Sequence, residues 1–169
     1  MLLGYTIFDK SLGSIDFDKY KIINTINPHS YCLSRYDKLF NEALQSSDIL
    51  LPDGTGIVLA SKIVNNHLIN KIAGADIHQY LLHQANLKSQ KVFYLGASQS
   101  TLLLIEGKVK KEFPNITVSS FSPPYKPQFS ESETAQMLEK IKEFRPDILF
   151  VGMTAPKQEK WVFANKENI

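Results

Sequence analysis

The chain has 169 residues, 43% of them hydrophobic, and a formal net charge of +2, which is enough apolar material for one sizeable core and too little charge for a nucleic-acid-binding arm. No run approaches the roughly 18 apolar residues needed to cross a bilayer, and the start of the chain has neither a basic leader nor a long apolar stretch, so a soluble, cytoplasmic protein is expected. Peripheral membrane contact stays open, through an amphipathic segment or a further tail. The single cysteine, Cys32, can form no internal disulfide, which fits a reducing compartment, and its place in a helical pattern predicts a buried thiol.

Apolar runs of strand length alternate with longer stretches of helical period, which predicts an α/β protein: a Rossmann-like, mostly parallel sheet with helices on both faces. In chain order the expected strands are about Leu2–Phe8, Lys21–Thr25, Ile49–Leu51, Lys91–Leu95, Thr117–Phe121 and Asp147–Val151. The expected helices are about Ser30–Gln45, Thr55–Val64, Ala75–Leu87, Gln99–Glu112, Glu131–Phe144 and Lys157–Asn165. Ser130 followed by Glu133 has the spacing of a capping box for the fifth helix. Between Ser119 and Ser130 three prolines, Pro123, Pro124 and Pro127, remove backbone donors, so a surface loop is expected after the fifth strand. Residues 1–169 read as one domain that stops abruptly, since such a sheet usually closes with further strands.

Polar groups recur just past the carboxyl ends of these strands, the edge where open α/β sheets bind ligands. In Asn24-Thr25-Ile26-Asn27-Pro28, Thr25 and Asn27 offer hydroxyl and amide groups, and Asn27 reads equally well as a helix cap with Pro28 at the first helical position. In Leu51-Pro52-Asp53-Gly54-Thr55-Gly56, Asp53 has the chemistry of a general base, or of a turn and cap aspartate, while Gly54 allows close backbone approach to a phosphate. Lys71 and the Gly74-Ala75-Asp76 turn bring a cation and free helical N–H groups to an anion, or form only a solvated surface. Gly96-Ala97-Ser98 repeats the strand-to-helix turn and suits a nucleotide or a plain connection. Tyr125, in the proline loop, can stack on a base or pack the loop down. Finally, Ile148 to Val151 runs through Gly152 into Pro156-Lys157-Gln158-Glu159, a polar helix start that reads as the rim of a site.

Several chemistries are disfavoured. His29, His67, His78 and His83 have no metal-ligand spacing, and HExxH and CxxC pairs are absent, so no metal site is expected. GxSxG, Walker A and kinase motifs are missing, as is the GxGxxG fingerprint of a dinucleotide-dependent oxidoreductase. No DxD pair is present to hold a divalent cation on a nucleotide sugar, so a metal-free mechanism without cofactor is expected.

The segments NTINPHSY, LLPDGTGIV, KIAGAD, KVFYLGAS, SPPYKPQF and PDILFVGMTAPKQEKW, in that order from about Ile22 to Trp161, resemble the WecG/TagA/CpsF family of bacterial glycosyltransferases, glycosyltransferase family 26. The resemblance implies an inverting transfer of a sugar, of the N-acetylmannosamine type or related, from a UDP-sugar to an undecaprenyl-diphosphate-linked acceptor in surface polysaccharide or teichoic acid synthesis. By position it makes Asp53 the base, sets Thr25 and Asn27 near the donor sugar, and puts Gln158 in a nucleotide-side motif and Tyr125 in a loop over the uracil. The family usually carries arginine where this chain has Lys71, and lysine lacks the planar two-point grip on phosphate. The family also continues past the PKQE helix with another strand and a basic appendage associated with membrane docking, and its members are often oligomeric. A truncated chain is therefore expected, acting at the inner face of the cytoplasmic membrane or binding a nucleotide sugar without turnover.

Overall fold

The structure is a computed structural model that describes residues 1–169. Parallel strands alternate with helices: β1 (Ile23–Ile26), α1 (Pro28–Ser34), α2 (Lys38–Gln45), β2 (Ile49–Pro52), α3 (Thr55–Asn65), α4 (Gly74–Lys88), β3 (Lys91–Gly96), α5 (Gln99–Glu112), β4 (Thr117–Phe121), α6 (Glu131–Phe144), β5 (Ile148–Gly152) and α7 (Lys157–Asn165). Short 3₁₀ turns lie at Leu12–Ser14 and Lys166–Asn168. The chain divides into two compact units, Met1–Tyr80 and Leu81–Ile169, with the division falling inside α4.

In the second unit β3 is the central strand of a parallel sheet with order β4-β3-β5. Its sequence, KVFYLG, is buried from Val92 onward, because a strand covered on both faces needs apolar side chains on both. Val92 and Tyr94 enter a cluster with Leu82 and Ala85 of α4 and Leu102 and Val109 of α5. Phe93 and Leu95, pointing the other way, meet Met137 and Ile141 of α6 and Trp161 of α7. The two-residue alternation of a strand thus sorts one run of apolar residues into two helical layers. Ser130 starts α6 with the expected capping box: its hydroxyl accepts from the Glu133 N–H, and the Glu133 carboxylate accepts from the Ser130 N–H at 2.7 Å.

In the first unit β1 and β2 pair in parallel, Ile23 with Ile49 through Ile26 with Pro52. The apolar stripe of α2, Phe40, Ala43 and Leu44, is buried, and Phe40 and Leu44 pack with Tyr5, Ile26 and Leu50. Leu2, Ile57 and Ile69 form a smaller cluster.

Three expectations are corrected. Leu2–Phe8 is not a strand: Leu3 and Gly4 take positive φ angles of 52° and 90°, so the chain turns back on itself and forms only an antiparallel bridge between Leu2 and Tyr5. One remnant of pairing survives, the Phe8 N–H donating to the Leu50 carbonyl at 2.9 Å. The helix expected over Ser30–Gln45 is two helices, because the Asp37 backbone is extended and its carboxylate caps α2 by accepting from the Phe40 N–H at 3.0 Å. Cys32 is exposed, because α1 buries the face carrying Ser30 and Ser34, one turn apart, and a residue midway between them points to the opposite side.

Met137, fully buried between α6 and β3, reports on the packing of that face. Met137→Ala is expected to cost roughly 2–5 kcal/mol in urea unfolding. A loss well below that range would mean that α6 does not bear on β3 as described.

Candidate functional site

At the carboxyl ends of β1 and β2, backbone contacts gather the first group of candidate residues. Asn27 caps α1: its Oδ1 accepts from the Ser30 N–H at 2.9 Å, the Ser30 hydroxyl accepts from the Asn27 N–H at 2.8 Å, and Pro28 takes the first helical position. The cap occupies Oδ1, so the side-chain amide donor is what Asn27 retains for a ligand. The Asp53 N–H donates to the Ile26 carbonyl at 2.9 Å, and the Ile72 N–H to the Pro52 carbonyl at 2.9 Å. These bonds draw the segment carrying Lys71 to the end of β2, beside the loops of Asn27 and Asp53.

Glycine makes this approach possible. Gly54 stands at φ 90° as the residue before α3, and a Cβ on Gly56 would lie 2.5 Å from Cγ of Pro28. No side chain caps α3, so its first N–H groups remain available to an anion. Thr25 and Asp53 are half-buried and Lys71 is exposed. Gly74 opens α4, where the Asp76 carboxylate accepts from the Ala73 N–H at 2.7 Å. Thr25, Asn27, Asp53, Gly54, Lys71 and Gly74 therefore fall at one edge of the first unit. A carboxylate, a hydroxyl, an amide donor, an ammonium and an uncapped helix start are together there, a set suited to taking a proton beside a bound anion.

The second unit carries a cleft of about 740 Å³ at the carboxyl ends of its strands, within the range of small-molecule sites. Its floor is a close backbone approach: Gly96 sits at φ 113°, and a Cβ there would come within 2.7 Å of the Gly152 carbonyl carbon. Ala97 follows in the left-handed region at φ 62° and donates its N–H to the Gly152 carbonyl at 3.0 Å. Ser98 caps α5 by accepting from the Thr101 N–H, and Ser122 donates its hydroxyl to the Ala97 carbonyl at 2.8 Å. Tyr125 lines the mouth and is 99% exposed. The far wall holds Met153, Thr154 and the cis Ala155–Pro156 peptide.

Gln158 is not among the residues lining this cleft; its amide donates to Glu159 Oε1 at 3.1 Å, and Lys157 lines the wall in its place. Burial pushes the Glu159 carboxyl up from its ordinary value. Lys157 was missed by sequence reasoning although it lies beside Gln158 in the same polar group. Its Nζ donates to the Lys126 carbonyl at 2.7 Å and stands 4.2 Å from the centroid of the Phe129 ring. Loss of hydration lowers the Lys157 pKa. No sequence pattern signals that contact, since the acceptor is a backbone atom 31 residues away. Gly96 and Tyr125 thus share one cleft, while Gln158 lies outside its lining and bonds its chain neighbour Glu159.

No helix is long and apolar enough to cross a membrane. Residues 7–169 match the model of the Glycosyl transferase WecG/TagA/CpsF family. The N-acetylglucosaminyldiphosphoundecaprenol N-acetyl-beta-D-mannosaminyltransferase of Bacillus subtilis (strain 168) is 33% identical over 83% of this chain and 53% of its own length. The proteins of the same name from Bacillus spizizenii and Staphylococcus aureus (strain NCTC 8325) are 31% and 29% identical, over 88% and 85% of this chain and 56% and 55% of theirs. The chain thus spans about half the length of these curated relatives.

Gly96→Ala should destabilise the second unit by more than about 1 kcal/mol in denaturant unfolding, because the new methyl group meets backbone that cannot rotate away. A second prediction concerns acid. The Glu133 carboxyl is lowered to about 2, first by its hydrogen bond to Lys126, then by the Ser130 N–H. Since the folded value lies below the ordinary 4.5, the stabilisation is complete above the ordinary value and is lost as pH falls from there towards 2. Glu133→Gln should flatten the fall of the melting temperature across that window; an unaltered slope would deny Glu133 this role.

Proposed function

Because the chain belongs to the WecG/TagA/CpsF family of glycosyl transferases, we propose that it transfers a sugar of the N-acetylmannosamine type from a UDP-sugar to a polyprenyl-diphosphate-linked acceptor, with inversion, during surface polysaccharide or teichoic acid synthesis. The observation that carries this reading is the half-buried Asp53 beside the uncapped start of α3. In the proposed reaction Asp53 takes the proton of the acceptor hydroxyl while that oxygen attacks the anomeric carbon. The bond from that carbon to the diphosphate breaks, and its electrons leave with the diphosphate. The negative charge that develops is met by the helix starts at Gly54 and Gly74 and by Lys71, each helix end contributing roughly 0.3–1 kcal/mol. Thr25 and the Asn27 amide orient the donor sugar.

Taken by itself, the cleft of the second unit, with Gly96 at its floor and Tyr125 at its mouth, is suited in this reading to a nucleoside. The distance-tolerant charge of Lys71 holds phosphate as a point contact rather than as a planar fork. A lipid-linked acceptor sets the reaction at the inner face of the cytoplasmic membrane, and assembly into a homo-oligomer is part of the same proposal. A second reading, a nucleotide-sugar-binding module without turnover, is favoured by the cleft of the second unit, whose lining holds no carboxylate to act as a base.

Calorimetry with UDP, and a transfer assay with UDP-N-acetylmannosamine and a polyprenyl-diphosphate-linked acceptor, separate the two readings. Transfer is expected, and Asp53→Asn is expected to lower its rate by at least about 100-fold while leaving UDP affinity in place. Activity unchanged by the substitution removes Asp53 as the base. UDP binding without transfer by the unaltered chain supports the binding module.

A further inference from the structure

The proline loop of residues 122–129 is tied down on both sides of its tip. At its start the Ser122 hydroxyl holds the Ala97 carbonyl. Beyond the tip, the Lys126 ammonium meets the Glu133 carboxylate at 2.6 Å. Lys157, the first residue of α7, reaches the same place from the opposite wall, with Nζ 2.7 Å from the Lys126 carbonyl oxygen and 4.2 Å from the Phe129 ring centroid. Tyr125, immediately before Lys126, is left in solvent at the cleft mouth.

We propose that Lys157 is a positioning residue, whose ammonium, bonded to the Lys126 carbonyl and seated on Phe129, fixes the proline loop so that Tyr125 can cover the base of a nucleoside diphosphate. The inference deepens the donor-binding role proposed above and rests on it. Its physical basis is the poverty of the loop's own backbone. Pro123, Pro124 and Pro127 have no N–H to donate, so the loop cannot anchor itself by a ladder and depends on side chains that reach its carbonyl groups. A charge-assisted bond to a carbonyl, with the same cation over an aromatic face, is among the stronger single anchors available to it. An aromatic ring whose backbone is already fixed loses less freedom when a base stacks on it.

Two measurements test this, one of them independent of any ligand. Chymotrypsin cuts after exposed tyrosine, so cleavage after Tyr125 reads the freedom of the loop. Lys157→Met should speed that cleavage by about tenfold. Lys157→Arg should retain the unaltered rate, because a guanidinium can bond a carbonyl and lie on a ring together. For UDP, calorimetry should find affinity about tenfold weaker in Lys157→Met and restored in Lys157→Arg. In a Tyr125→Ala background, Lys157→Met should cause no further loss, as expected when one residue acts through the other.

Equal cleavage rates for Lys157→Met and the unaltered chain would overturn the anchoring. A full, additive loss of UDP affinity in the Tyr125→Ala background would overturn it differently, showing that Lys157 contacts the diphosphate directly. An unaltered chain that binds no UDP would remove the donor-binding reading and the ligand assigned to Tyr125, whereas the cleavage rates would still uphold or reject the latch itself.

Discussion

The cleft of the second unit depends on the contact between two glycine backbones at the ends of adjacent strands. Gly96 and Gly152 are the last pair in the register of β3 with β5. With no side chain on Gly96, the Gly152 carbonyl can come close enough to accept the next N–H along, that of Ala97. The bend at Ala97 delivers Ser98 to the start of α5 and presents a carbonyl to Ser122. Three loops following three strands are thereby held by a short chain of backbone and hydroxyl bonds. The floor of the cleft is thus set by strand ends, and the loops that wall it are anchored there.

The first unit reaches a comparable result by a different route. There the close approach joins a helix start to a proline: α3 can lie against Pro28 only because position 56 is glycine. Pro28 itself is held by the Asn27 cap, so the residue that ends β1, the cap and the start of α3 are mutually dependent. Asn27 commits its Oδ1 to the cap of α1, and its amide group takes no part in that cap.

Local chemistry made most of the fold legible in the sequence. The strands β3 to β5 and helices α5 to α7 are bounded by signals of short range: apolar runs, serine caps and prolines. The Ser130–Glu133 box and the Asn27–Pro28 start are formed as their spacing implied. The failures also have local causes. Leu2–Phe8 has the apolar content of a strand, but a turn at Leu3 and Gly4 intervenes; Ser30–Gln45 has helical period throughout, but Asp37 caps a new helix within it. Motif order placed Asp53, Gly96 and Tyr125 at strand ends, as found. It could not distinguish Lys157 from Gln158, because which of two neighbouring side chains faces the cleft depends on the rotation of α7 about its axis.

The chain contains a single tryptophan, Trp161, and a single cysteine, Cys32. The indole is buried among Met137, Ile141 and Phe93 in the second unit, and the thiol is exposed on α1 in the first. Each unit thus carries its own optical address without any engineering. Intrinsic emission follows the solvation of one half, while a dye attached through the thiol follows the other, so loss of structure in the two halves can be timed separately in one sample.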